Sequence, residues 1–239
     1  MTEKMFCFQC EQTAGCTGCT GSAGVCGKKA DTALLQDRLT GALIGLARTA
    51  EKNENSVTEN TDRLVIDGLF TTITNVNFDL ESIKAGIRAT LAEKEKLLAQ
   101  VADPAALPEA AKWDGSGSWE KKARTASVLS TQNEDIRSLR ELITYGLKGL
   151  AAYSKHANVL LKSDPGLDAF LQRALAATLD DSLSAEDLIT LALETGKYGV
   201  SGMALLDKAN TDAYGNPEIT RVNLGVRKNP GILVSGHDL

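Results

Sequence analysis

All five cysteines of this 239-residue chain lie at or before Cys26. They stand as Cys7-Phe-Gln-Cys10, Cys16-Thr-Gly-Cys19 and Cys26, separated mainly by Gly, Thr, Ser and Ala. Core cysteines scatter along a chain as other small hydrophobes do, so this crowding gathers sulfur around one point. Disulfide frameworks belong to small secreted domains that cannot build a core. Here 43% of the residues are hydrophobic, the cysteine count is odd, and Met1-Thr-Glu-Lys-Met-Phe6 lacks the apolar stretch of an export signal. Zinc accepts two Cys-x-x-Cys pairs, but ribbons usually leave roughly 15–20 residues between them, far more than separates Cys10 from Cys16. An iron–sulfur cluster takes thiolates from a compact loop whose small residues let the backbone turn around it. On spacing alone the cluster fits best, and zinc or a redox dithiol stays open.

Charge narrows the function classes. Lys and Arg total 26 against 31 Asp and Glu, a formal net charge of −5 with no basic run, so no nucleic-acid footprint is present. No apolar stretch approaches the roughly 20 residues that span a bilayer. The most apolar region, 39–47, is broken by Thr40, Gly41 and Gly45. A soluble, cytoplasmic chain in a reducing compartment is expected, with neither nucleic acid nor membrane as partner.

After the cysteine loop the periodicity is helical. Leu35, Leu39, Leu43 and Leu46 lay one stripe on a helix over 31–50. A second helix is predicted over 62–75 and a third from Asp79, as its cap, to about 101. Ile136, Leu139, Leu142 or Ile143, Leu147 and Leu150 form another stripe. Asp164-Pro165 opens a short helix. Ser184-Ala-Glu-Asp187 resembles a capping box, opening a helix to about Glu194, with a new one from Gly196 to Ala209. His156 has no partner motif and reads as a surface residue. Val222, Leu224 and Val226 alternate as a strand does, and Ile232-Leu-Val234 reads as a second short strand.

The fold class expected is mainly α: two antiparallel helical bundles after an iron–sulfur loop, then the first strands of a truncated α/β, Rossmann-like domain. The divisions fall at 1–30 for the loop, 31–102 for the first bundle, 103–119 for a Pro/Gly linker, 120–215 for the second bundle and 216–239 for the α/β start. The chain reads as the N-terminal portion of something longer.

Several segments taken together resemble one family. They are Met5-Phe-Cys-Phe-Gln-Cys-Glu-Gln-Thr13, Val25-Cys-Gly-Lys28, Leu35-Gln-Asp37, Thr74-Asn-Val-Asn-Phe-Asp79, Ser138-Leu-Arg-Glu-Leu142, Tyr145-Gly-Leu-Lys-Gly149, Asp180-Asp-Ser-Leu-Ser184, Leu193-Glu-Thr-Gly-Lys197 and Lys228 through Leu239. They are similar, in order along the whole chain, to the hybrid-cluster proteins, also called prismane proteins or hydroxylamine reductases. That resemblance implies a cluster held by Cys7, Cys10, Cys19 and Cys26, with gaps of two, eight and six residues. These gaps match the variant carrying a 4Fe–4S cubane; a longer middle gap accompanies 2Fe–2S. Cys16 stands outside the family pattern and reads as a bystander.

The resemblance also implies a second, catalytic hybrid cluster (4Fe–2O–2S), to which His237 in Ser235-Gly-His-Asp-Leu239 would be a ligand. Its other ligands, glutamates and cysteines, match nothing here, since no cysteine follows Cys26; no catalytic residue is assigned. Implied too are reduction of hydroxylamine to ammonia and water, nitric oxide as a second substrate, and an external electron-donor protein. The alternative is a non-catalytic iron–sulfur electron-transfer or interaction module lacking the hybrid cluster. Carbon monoxide dehydrogenases share the architecture, but their cysteine pattern fits less well. Asn216 stands where the family commonly has His, in a loop, and no functional consequence follows.

Overall fold

A computed structural model describes residues 5–53, 56–117 and 127–232, and its architecture grows from one helix. Helix α1 (Ala30–Ala50) carries the predicted leucine stripe, yet Ala33, Ala42, Ala47, Gly41 and Gly45 are buried as well. Small residues off the stripe let neighbours approach α1 from more sides than a surface helix permits. Helix α2 (Glu59–Thr71) begins earlier than its hydrophobic pattern suggests, because Thr58 and Thr61 cap it reciprocally. Gly68 of α2 meets α1 so closely that a Cβ would lie 2.7 Å from Leu43 Cδ1. Helix α3 (Leu80–Leu98) starts at the Asp79 cap.

Residues 103–117 pack on α1 around the short helix α4 (Glu109–Lys112). Leu107, Ala111 and Trp113 are buried, and the buried Lys94 of α3 donates to the Trp113 carbonyl. Helix α5 (Glu134–Val159) follows, capped by Asn133, then α6 (Pro165–Ala177), capped by Asp164 with Pro165 in its first turn.

Helix α7 runs unbroken over Ala185–Tyr214, where the glycines predicted a break near Gly196. Gly196 itself has open space beside it and is carried within the helix, whereas two other glycines serve packing. A Cβ on Gly146 of α5 would meet Thr195 Cγ2 at 2.7 Å, and one on Gly202 of α7 would meet Leu150 Cδ1 at 2.7 Å. Close approach of α5 and α7 offsets the roughly 1 kcal/mol a glycine costs inside a helix. The reciprocal cap at Ser184 and Asp187 forms as expected.

One contiguous apolar core joins α1, α2, α3, α5, α6 and α7. Arg140, 2% exposed, ties α5 to the α6–α7 turn by donating to the Asp180 carbonyl, the Asp181 carboxylate and Thr131 Oγ1. The segments 138–142 and 180–184 are thus two halves of one contact. His156 is half-buried, edge-on to Phe70 at 5.5 Å, and not the surface residue expected.

Among the described residues there is no strand. Val222, Leu224 and Val226 are exposed in irregular chain, since alternation makes a strand only where a partner completes its hydrogen bonds. Residues 233 and 234 of the second predicted strand lie outside the described residues. No described helix is long and apolar enough to cross a membrane.

Candidate metal centre

The cysteine loop is folded by its own backbone. Cys7 N–H donates to the Cys19 carbonyl at 3.0 Å and Cys19 N–H to the Cys7 carbonyl at 2.9 Å, an isolated antiparallel bridge. Gly18 permits this pairing, for a Cβ there would lie 2.8 Å from the Cys7 carbonyl oxygen. Beyond Cys10 the chain makes a short 3-10 turn, Glu11–Thr13. Around Cys26, Gly24 N–H donates to the Lys28 carbonyl at 2.8 Å and Gly27 adopts φ +86°, a conformation that favours glycine.

Cys7, Cys10, Cys19 and Cys26 line one recess of about 250 Å³. Its remaining walls include Lys28 and, from the turn after α2, Thr74 and Asn75. All five cysteines are free thiols; Cys7 is buried, and Cys10, Cys19 and Cys26 are half-buried. Burial raises the Cys7 thiol pKa, and a backbone hydrogen bond from Gln9 and the charge of Lys28 pull it back.

Cys16 faces elsewhere. It is exposed at φ +56°, and its Sγ donates to Glu134 Oε1 at 2.6 Å. That bond to a carboxylate raises its pKa, because ionisation would break it and set two negative charges together. His237 lies outside the described residues.

Among the described residues no three His, Cys, Asp or Glu side chains stand close enough to share a single metal ion. An iron–sulfur cluster asks for something different, since its thiolates bind different irons and ring the cluster. Four thiols on one recess, beside a buried ammonium that would offset the charge of a thiolate-bound cluster, are a donor set that fits such a group. Those four thiols would hold it, and small residues leave the backbone room to turn around it.

A polar layer lies beneath the loop. Lys28 Nζ, 1% exposed, donates to Gln9 Oε1 at 2.6 Å, and Gln9 Nε2 donates to Asp37 Oδ1 and to the Ala33 carbonyl. Behind Gln9 is a chamber of about 30 Å³ lined by Asp37, Glu141, Thr144 and Lys148. Burial pushes Asp37 up to about 6 and Glu141 up to about 7; it pulls Lys148 down, against the opposing charge of Glu141. From α5, the Tyr145 hydroxyl donates to the Phe8 carbonyl at 2.6 Å and sits 2.9 Å from Thr13 Oγ1, which fastens the loop to the helices. Burial raises the Tyr145 pKa.

The sequence alone gives none of this layer a role. The only signal is that Gln9, Lys28, Asp37, Glu141, Tyr145 and Lys148 fall inside the family-like segments.

Comparison with known proteins bears on the whole chain at once. A model of the Prismane/CO dehydrogenase family matches residues 5–239. The chain belongs to this family. It is 54% identical to a hydroxylamine reductase of Desulfovibrio desulfuricans, over 100% of this chain and 45% of the relative. Hydroxylamine reductases of Desulfitobacterium hafniense and Clostridium perfringens are each 52% identical over 98% of the chain and 44% of their own length. The chain thus spans less than half the length of these prismane-family relatives. Membership implies iron–sulfur chemistry in general terms.

Proposed function

We propose that this chain is the electron-relaying N-terminal part of a hydroxylamine reductase-type oxidoreductase, with Cys7, Cys10, Cys19 and Cys26 holding a 4Fe–4S cluster. The observation that carries this reading is the shared recess of those four cysteines, with Cys16 turned away to Glu134. When bound, the cluster supplies one-electron redox chemistry. The chain's residues hold it at the thiolates, place Lys28 against its charge and leave three of the four cysteines partly accessible to an external electron-donor protein.

Substrate chemistry belongs elsewhere in this reading. Hydroxylamine, or nitric oxide, would be reduced at a hybrid 4Fe–2O–2S cluster for which His237 is the one ligand the resemblance assigns here. The same reading puts the protein in the cytoplasm. It divides the chain into the loop 1–30, helical groups 31–102 and 120–215 that share a core across 103–119, and an α/β start at 216–239.

The test is to load the chain anaerobically with iron and sulfide, reduce it with viologen and add hydroxylamine. The chain should take up electrons yet consume no more hydroxylamine than a free iron–sulfide control. Consumption well above that control would place catalysis at the four-cysteine site and contradict the relay reading.

A further inference from the structure

Three spaces adjoin one another at the cysteine loop and share wall residues, Gln9 between the first two and Phe8, Val128 and Glu141 between the second and third. Gln9 lines both the four-cysteine recess and the chamber behind it. Glu141 lines both the chamber and a groove of about 510 Å³ that opens to solvent past Cys16, Arg137 and the exposed Leu142. The chamber's volume is enough for about two water molecules, and its walls offer the several polar partners that buried water needs.

Its ionisable groups are Asp37 from α1 and Glu141 and Lys148 from α5. Facing them are Lys28 and the cysteines from the loop, with Tyr145 and Arg137 on the flank of α5. Neither acid has an ion-pair partner within salt-bridge distance among the described residues. The hydrogen bonds Lys28 to Gln9 to Asp37 connect recess and chamber without a break.

We propose that the chamber bounded by Asp37, Glu141 and Lys148 is a proton-binding site, filled through Glu141 from the groove when an electron reaches the four-cysteine site and emptied when it leaves. This rests on reading that site as a one-electron cluster. An added electron raises the negative charge at the recess, and Cys7 there is already coupled electrostatically to Asp37 and Lys148 across buried protein, where charges interact more strongly than in water. Glu11 lies on the recess itself but is exposed, whereas the buried carboxylates that can shed their charge by taking a proton, Asp37 and Glu141, line the chamber. In balance, the oxidised site, one electron from an external one-electron reductant and one proton from water give the reduced site and a neutral carboxyl; reoxidation returns both. The pKa values of Asp37 and Glu141, near 6 and 7, put the exchange within reach of neutral pH.

The experiment is a spectroelectrochemical titration of the full chain, loaded with iron and sulfide, across pH 5.5 to 9. The midpoint should fall as pH rises above about 6, by up to about 59 mV per pH unit for a one-electron couple. Glu141→Gln should retain the iron content and lose most of that slope, and the double variant Asp37→Asn/Glu141→Gln should lose all of it. Redox-difference infrared spectra of the unsubstituted chain give a second readout independent of any variant. Reduction should bring up a carboxylic-acid C=O band that shifts in D2O.

A loaded chain with a pH-independent midpoint and no such band would overturn the proton site and leave the cluster reading standing. A slope that survives in the double variant would place the proton elsewhere and overturn the chamber. A chain that binds no iron would overturn both readings.

Discussion

Gly18 shows how much of the candidate metal centre hangs on single atoms. The Cys7–Cys19 bridge brings two of the four sulfurs to one recess, and a Cβ at Gly18 would press on backbone, which cannot swing aside as a side chain does. Gly18→Ala should therefore sharply lower the iron retained after anaerobic loading. Gly21→Ala, whose Cβ would meet nothing nearer than 3.6 Å, should leave it unchanged, as read by iron analysis of both variants. Asp168 makes a different residue-scale point. Burial, with Asp62, Asp164 and Glu59 nearby, raises its carboxyl to about 7 from an ordinary 3.8. A folded-state pKa above the unfolded one means that the folded state binds the extra proton, so this contribution to stability is present below about pH 4 and is lost as pH rises to about 7. Asp168→Asn should leave stability near pH 4 little changed and raise it at pH 8 by on the order of 1 kcal/mol, discounted for solvent screening. Denaturant melts at the two pH values check it.

At the level of elements, what was legible in the sequence was local. The stripe of α1, the Asp79, Asp164 and Ser184 caps and the run from Ile136 to Leu150 act within a few residues of themselves, and each appears where expected. What was not legible depends on partners distant in sequence. Gly146 and Gly202 are explained only by Thr195 and Leu150 on the facing helices, and Gly196, with nothing within 4 Å, does not interrupt α7 although its lack of a side chain reads as a break. Trp113 looks like linker until Lys94 and α1 cover it. The candidate sulfur site could be picked out because all five cysteines crowd within the first 26 residues, and the resemblance alone separated Cys16 from the other four. The layer of Asp37, Glu141 and Lys148 could not, since it forms only when α1 and α5 meet under the loop. Two glycines of α7 separate the effects. Gly199, with nothing within 4 Å, should accept Ala with a gain of about 0.5–1 kcal/mol. Gly202→Val should cost about 1–3 kcal/mol by forcing α7 away from Leu150. Thermal melts of the two variants should move in opposite directions.

The whole molecule is a helical core with a sulfur-bearing loop fastened to one side. The helices on both sides of 103–117 contribute to the same apolar core, and the loop is held from α1 through Gln9 and from α5 through Tyr145. Such a body can hold a charged group rigidly while leaving part of it accessible, as electron exchange requires. The central claim is that Cys7, Cys10, Cys19 and Cys26 hold one cluster and Cys16 does not. Iron and acid-labile sulfide per chain, measured after anaerobic loading of the unsubstituted protein and of five single Cys→Ser variants, test it most directly. The account predicts about four of each in the unsubstituted chain and in Cys16→Ser, and loss of most of both in each of the other four. Loss of iron in Cys16→Ser, with full retention in any one of the others, would contradict it.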